Sequence, residues 1–406
     1  MYWLFTVFFQ GLLTLASPFH TKARLFVNGR KKLLTRVQEA FRQETGRVVW
    51  FHAASLGEFE QGRPVMEQLK REFPSLKILL TFYSPSGYEL RKNYPGADYI
   101  FYLPWDYASH MRAFVQAAKP VLAIFIKYEF WKNALAQTRA HNIPILSISS
   151  IFREGQVYFA WYGGSQRAVL RDITHFFVQN ERSRTLLRTI GIQNVSLSGD
   201  TRFDRVSTLA LQATPIELAA RFKADDKVFV IGSCWREDLN ILFPFINEEI
   251  NLKFIIAPHE IDEAMLAYIE AGIQRKTVRL SANTIPPDAS VLLIDSIGLL
   301  SRLYRYGEFA FVGGAFGKGL HNILEAACYG MPIFFGNKRY HKFQEAHDLL
   351  MRGGAFCVGS YEELKEKYEN VNVPENFLLA CEATKTYVSE NTGATEKIVT
   401  YLRTSL

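Results

Sequence analysis

From residue 48 onward, short apolar runs alternate with longer amphipathic ones, the rhythm of strand–helix units feeding a parallel sheet. The runs Val48–His52, Ile78–Phe82, Tyr99–Leu103, Val121–Ile126 and Ile145–Ser149 predict strands, with helices over Glu58–Arg71, Ser86–Asn93, Tyr107–Ala117 and Phe130–His141. The pattern loosens over Gly199–Pro215 and then restarts. Its second half predicts strands at Val228–Gly232, Lys253–Ala257, Val291–Ile294, Phe309–Val312 and Ile333–Phe335, and helices near Trp235–Phe245, Ile261–Ala271, Ser296–Tyr304 and His321–Tyr329. Two Rossmann-like, doubly wound α/β domains facing a cleft follow, and ligands of open α/β sheets bind outside the carboxyl ends of the strands. The expected division is a leading segment 1–38, a first domain 39–205, and a second domain 206–406 closed by a C-terminal helix.

The leading segment opens with Met1–Ser17, which has no charge and contains Tyr2, Trp3, Leu4, Phe5, Phe8, Phe9, Leu12, Leu13 and Leu15. Lys22, Arg24, Arg30, Lys31, Lys32 and Arg36 follow without any acid, so this segment holds six of the net charge of +7. The rest is nearly neutral, whereas a groove tracking nucleic acid would spread its charge over the folded domains, so no nucleic-acid partner is expected. An apolar run with a basic flank predicts a membrane-associated helix with the flank and all that follows on the cytoplasmic side. Its length is at the lower limit for a hydrocarbon core of about 30 Å, which leaves both spanning and shallow insertion open. A cleaved signal would carry its basic residues before the apolar run. A buried first helix is the plain alternative. Cys234, Cys328, Cys357 and Cys381 fit no metal clip or disulfide framework and read as free thiols in a reducing compartment.

No G-x-G-x-x-G follows the first strand and no GxxxxGK[ST] occurs, so dinucleotide and P-loop readings lack their physical basis. Weaker signals remain. Gly232 and Ser233 end a strand, where a glycine admits an anion to the backbone and a serine can cap the next helix. Gly313 and Gly314 open a loop that runs through Gly317, Lys318 and Gly319 to His321 and Asn322. A helix beginning there would present N–H groups to a phosphate, and a flexible connection is the bland alternative. Glu325 shares a face with His321 and Asn322, as a capping box or as an acceptor for two ribose hydroxyls. Glu58 starts the helix after the first strand, where it could simply favour the helix dipole. Glu129 lies just past another strand on the same wall, and two acids at neighbouring strand ends suit a general base and its support. Arg202 offers charge for a departing phosphate. No Asp-x-Asp and no ligand-spaced cluster occurs, so neither metal nor other cofactor is expected.

The ordered set His52-Ala53-Ala54-Ser55-Leu56-Gly57-Glu58, Glu129-Phe130-Trp131-Lys132-Asn133, Gly199-Asp200-Thr201-Arg202-Phe203-Asp204 and Phe311-Val312-Gly313-Gly314 through His321-Asn322-Ile323-Leu324-Glu325 resembles the Kdo transferases, the 3-deoxy-D-manno-octulosonic acid transferases of lipopolysaccharide synthesis. The resemblance runs from the N-terminus to about residue 360. It implies a GT-B architecture and an inverting glycosyltransferase that moves Kdo from CMP-Kdo to a lipid A precursor, lipid IVA, at the cytoplasmic face of a bacterial inner membrane. By the same resemblance Glu58 is the base, and Glu129 and Arg202 stabilise the transition state, Arg202 standing where lysine is usual. CMP contacts fall on His259 and Glu260, on Ile297, Gly298 and Leu299, and on Asn322, Ile323, Leu324 and Glu325. Pro258-His259-Glu260 departs from the usual arginine–histidine pair, and Leu299 replaces a glutamate. The alternatives are another GT-B enzyme using a UDP-linked sugar, as transferase or epimerase, and a membrane-tethered nucleotide-binding module.

Overall fold

The computed structural model describes residues 2–406, which divide into two compact units, residues 2–205 with 392–406, and residues 206–391. Among the described residues every strand pairing is parallel, as the expected strand–helix alternation requires. The first unit holds β1 (Val48–Ala53), β2 (Lys77–Phe82), β3 (Tyr99–Tyr102), β4 (Leu122–Ile126), β5 (Ile145–Ser150), β6 (His175–Val178) and β7 (Val195–Leu197), in the order β3-β2-β1-β4-β5-β6-β7. The second holds β8 (Val228–Cys234), β9 (Lys253–Pro258), β10 (Thr277–Arg279), β11 (Val291–Leu293), β12 (Phe309–Val312), β13 (Ile333–Gly336) and β14 (Ala355–Val358), in the order β10-β11-β9-β8-β12-β13-β14. The inner strands are apolar runs buried on both faces, which is why they read continuously rather than alternately. β6, β7, β10 and β14 lie toward the sheet margins, are three or four residues long and were not expected.

Three boundaries depart from expectation. Residues 201–212 are not a loose linker but a helix, Thr201–Gln212. The second unit ends at Asn391, not at residue 406, because the last helix, Ala394–Ser405, returns to the first unit. Its Ile398, Val399 and Leu402 are fully buried in a core with Val49, Phe59, Val65 and Leu69. Asp204 fixes the entry to that helix, its carboxylate accepting from the Gly393 and Thr395 N–H groups at 2.5 and 2.6 Å.

The third concerns the leading segment, of which Met1 lies outside the described residues. Tyr2–Ala16 is a helix of 15 residues, and no helix among the described residues is long and apolar enough to cross a membrane. One side docks on the first unit: the Tyr2 hydroxyl donates to Asp106, Tyr107 donates to Gln10 at 2.6 Å, and Phe9 meets Phe26 edge-on. Trp3, Leu4, Phe8, Leu12 and Leu15 remain exposed. Nor is the basic flank uniformly available to solvent. Arg30 is buried among the rings of Phe26, Tyr83, Tyr102 and Trp105 and donates to the carbonyls of Phe26, Tyr83 and Leu103, while burial pulls its guanidinium down to about 10.

Candidate active site

β1 ends at Ala53, and Ser55 caps the helix Leu56–Glu72. Glu58 is the third residue of that helix, and its Oε2 accepts from the Ala54 and Ser55 N–H groups at 2.5 and 3.2 Å. The capping role is thus real, but a cap on the surface would not be 7% exposed and beside a second acid. That acid arrives from β4, which pairs with β1 and turns through Lys127 at φ +69°. Glu129 hydrogen-bonds Glu58, and its Oε2 accepts from Trp131 Nε1 at 2.8 Å. Burial, then the negative charge of Glu58, pushes the Glu129 carboxyl up to about 8, and burial also raises Glu58. Backbone donors favour Glu58 as the anion, so the proton that the pair shares resides on Glu129. Lys127 faces both carboxyls and draws them back down, a contribution that sequence reading missed.

Arg202 starts the helix Thr201–Gln212 and is held by Asp200, whose Oδ2 lies 2.8 Å from its Nε and 2.7 Å from its Nη2. Thr201 donates to the Gln61 carbonyl at 2.5 Å and accepts from Ser149 at 2.9 Å, tying this turn to the helix of Glu58. Gly199-Asp200-Thr201-Arg202-Phe203-Asp204 is therefore a bracket: Asp200 orients the guanidinium, Thr201 joins two elements, and Asp204 caps a third.

In the second unit the ends of β8, β9 and β12 converge. Gly313 N–H donates to the Gly232 carbonyl at 2.9 Å, and a Cβ at Gly313 would stand 2.4 Å from the Ser233 oxygen, so only glycine fits. Gly314, at φ +94°, and Ser233, at φ +53°, continue the two turns. His259 and His321 stack with ring centroids 4.3 Å apart, Trp235 stacks on His259 at 4.5 Å, and Trp235 Nε1 donates to His321 Nε2 at 2.9 Å. Burial keeps both imidazoles neutral, His321 falling to about 4. Lys318 Nζ lies 5.2 Å from the Trp235 ring. Asp238, also missed, bridges the turns: its Oδ2 accepts from the Trp235 and Gly314 N–H groups at 2.8 and 2.9 Å, and burial raises it to about 6. The signal for it was an acid three residues beyond Trp235 at the start of a helix.

The expected helix over His321–Tyr329 is a single turn, Leu324–Ala327, and the glycine loop is not an open cradle. The N–H groups of Gly314, Gly317, Gly319 and His321 all have acceptors in the protein, because the loop folds on itself around Gly314. Asn322 Nδ2 donates to Glu325 Oε1 at 3.0 Å, a side chain–side chain bond and not a capping box, since the N-cap of the short helix is Ile323 and no side chain caps it. Ile323 and Leu324 have fully buried side chains and can offer a ligand only their backbone. Glu260 is exposed, as is Ile297, which precedes Gly298 at φ +88° and Leu299. The four cysteines are free thiols. Among the described residues no three His, Cys, Asp or Glu side chains form a metal-binding group.

Two parallel-sheet α/β units in one chain resemble the GT-B class. A UDP-GlcNAc 2-epimerase from Neisseria meningitidis superposes with a TM-score of 0.63 at 18% identity, covering 88% of this chain and 100% of that one. Acinetobacter baumannii MurG does so at 0.58 and 12%, covering 88% and 99%. At such identities these establish the fold alone. Sequence narrows the class. The family described as 3-Deoxy-D-manno-octulosonic-acid transferase (kdotransferase) matches residues 29–205. The chain is also 27% identical over 326 residues to the 3-deoxy-D-manno-octulosonic acid transferase of Aquifex aeolicus (strain VF5), covering 79% of this chain and 84% of the relative. The enzyme of that name from Haemophilus influenzae (strain ATCC 51907 / DSM 11121 / KW20 / Rd) is 25% identical over 374 residues, covering 87% and 86%. The resemblance to Kdo transferases implied by the motifs is borne out, and with it the reading of the chain as a glycosyltransferase of that kind.

Proposed function

We propose that this chain transfers Kdo from CMP-Kdo to a lipid A precursor, lipid IVA, with inversion at the anomeric carbon. The carboxyl pair Glu58–Glu129, in the half matched by the Kdo transferase family, carries this reading. Glu58, held as the anion, takes the proton of an acceptor hydroxyl while that oxygen forms its bond to the anomeric carbon and the bond to the CMP phosphate oxygen breaks. Glu129, neutral, can donate a hydrogen bond where negative charge gathers, and Arg202 adds fixed positive charge. The first unit serves the acceptor and the second the nucleotide. There Gly232, Ser233, Gly313 and Gly314 shape the floor, and the backbone of Asn322–Glu325 with Lys318 meets the phosphate. His259, Glu260 and residues 297–299 flank it.

The exposed face of the helix Tyr2–Ala16 rests on the membrane surface that holds the acceptor, at the cytoplasmic side of a bacterial inner membrane. No metal takes part in the transfer step. The test is incubation with preformed CMP-Kdo and lipid IVA, with and without EDTA, read by mass spectrometry. Addition of Kdo in both arms supports the reading. No addition overturns it, and addition lost to EDTA and restored only by a divalent ion overturns its metal-free form. Turnover of a UDP-linked sugar instead would assign the chain to the other GT-B chemistry.

A further inference from the structure

The reaction proposed above brings a charge problem to the first unit. In an ulosonic acid the anomeric carbon carries the carboxylate directly, so the carbon under attack has an anion one bond away. The attacking oxygen must come within about 3 Å of that carbon and within about 3 Å of its base, so the donor carboxylate arrives within roughly 7 Å of Glu58. Glu58 is itself the anion of the pair, and two like charges so placed in a partly buried site repel unless a cation stands beside them. The cations nearby are engaged elsewhere. Arg202 is held by Asp200, Arg30 gives its donors to three carbonyls, and Lys132 lies 6.0 Å from the Tyr2 ring beside Asp106.

Lys127 differs. Its N–H donates to the Ile148 carbonyl at 2.8 Å and its carbonyl accepts from the Ser147 hydroxyl at 3.4 Å, which fixes its backbone at the end of β4, two residues before Glu129. Its φ of +69° means little alone, since Lys32 and Lys119 are also left-handed at helix ends. What sets it apart is where the charge goes. Half-buried, its Nζ lies 5.0 Å from the Tyr128 ring, and the charge reaches both Glu58 and Glu129. Yet among the described residues it makes no ion pair with either acid or with any other. A flexible four-carbon stem that served only to neutralise the pair would close on one of its oxygens; this one stops short, and its three N–H donors have no acceptor in the protein.

We propose that Lys127 binds the carboxylate on the anomeric carbon of the donor sugar, and so selects an acidic ulosonic donor over a neutral one. The ammonium then stands beside both carboxylates, and Glu58 stays ionised while the donor is bound. A neutral hexose on the same nucleotide offers nothing to this charge.

The inference rests on the proposed reaction, but its main test needs no turnover. Isothermal titration of the full-length protein with freshly made CMP-Kdo, in the absence of acceptor, reads donor binding alone. Lys127→Met keeps the stem and drops the charge, so CMP-Kdo affinity should fall at least about tenfold, while CMP, which lacks the carboxylate, should bind within about twofold of wild type. Lys127→Arg should keep most of the affinity. On the unaltered chain the C1 amide of CMP-Kdo should bind at least about tenfold more weakly than the acid, so a poorly folded Lys127→Met does not end the test. If Lys127 only tunes the carboxyl pair, Lys127→Met moves the pH–rate profile to higher pH with donor affinity unchanged, and that result overturns the inference. Equal losses for CMP and CMP-Kdo, or equal affinity of the unaltered chain for acid and amide, overturn it as well. Carboxylate-dependent binding at Lys127 without any Kdo transfer overturns only the proposed function, and failure to bind CMP-Kdo at all overturns both.

Discussion

The two units carry the same local device at the same topological place. β1 and β8 are the strands from which each sheet grows in both directions, and the helix after each has an acid at its third position, Glu58 in one and Asp238 in the other. Both acids are buried and both accept backbone N–H groups at their own helix start. They differ in what the neighbouring strand delivers. β4 brings Glu129, a second acid, and the result is a pair sharing one proton. β12 brings the N–H of Gly314, and the result is a clamp between two turns. A helix cap thus becomes part of a buried carboxyl pair, the group proposed for the chemistry, through its long-range partner rather than through its own motif.

The sharpest way to break this comparison is to neutralise each acid in turn. Glu58→Gln retains size and one accepting oxygen, so the fold and CMP binding should survive while transfer falls at least about 100-fold, the usual cost of losing a general base. Near-normal turnover would return Glu58 to the rank of a cap. Asp238→Ala should do the reverse in kind: two buried N–H groups lose their acceptor, costing about 2 kcal/mol or more in a urea titration, with donor KM raised more than kcat is lowered. If Asp238→Ala instead matched Glu58→Gln in kcat with stability intact, the clamp reading would fail.

A second difference lies in pH. Burial raises the midpoint of one acid in each unit by a different amount, Glu129 to about 8 and Asp238 to about 6. At these two groups the folded state binds more protons than the unfolded chain above the ordinary carboxylate range, so their contribution to stability falls as pH rises, while His52 and His321, whose midpoints burial lowers to about 3 and about 4, contribute in the opposite direction. The Asp238 contribution is complete below its unfolded value near pH 4 and gone above about pH 6, while that of Glu129 continues to be lost up to about pH 8. Glu129→Gln should flatten the urea midpoint between pH 6 and 8, and Asp238→Asn should flatten it only below 6. Parallel curves for the two variants would remove the distinction.

How much of this the chain discloses differs between the units for the same reason. Buried central strands are legible because burial on both faces makes them continuous apolar runs, and Glu58 and Glu129 were placed together by strand order alone. The marginal strands β6, β7, β10 and β14 went unread, although β11 and β3 are as short and were found from their apolar runs. Asp238 went unread because its partner, a backbone amide 76 residues away, has no signature in the side chains. The return of the last helix was invisible for a related reason. Its apolar stripe says that it packs, and only Asp204, inside a motif read as a loose linker, says where. The four glycines after β12 suggested an open phosphate cradle, but composition cannot distinguish N–H groups left free for a ligand from N–H groups used to fold the loop.

The smallest expected effect concerns the leading helix, which the first unit has and the second lacks. Residues 2–16 touch that unit through Tyr2, Phe9 and Gln10, while Trp3, Leu4, Val7, Phe8, Leu12 and Leu15 on the helix are exposed. Removal of residues 1–17 takes away few buried contacts, so the melting temperature should drop by no more than a few degrees and CMP binding should persist. Asp106 loses the Tyr2 hydroxyl but keeps the N–H donors of Asn133 and Ala134, which should leave the turn carrying Glu129 in place. On the proposed membrane role, in which the helix raises local concentration at the surface without entering the chemistry, transfer to acceptor in vesicles should fall several-fold and transfer to detergent-dispersed acceptor by less. Residual binding through Lys22, Arg24, Lys31 and Lys32 should weaken with salt, and Arg30, enclosed by four rings, should contribute nothing to that dependence. Equal losses in vesicles and detergent would mean that the helix supports the carboxyl pair through Asp106, and the membrane role would have to be given up.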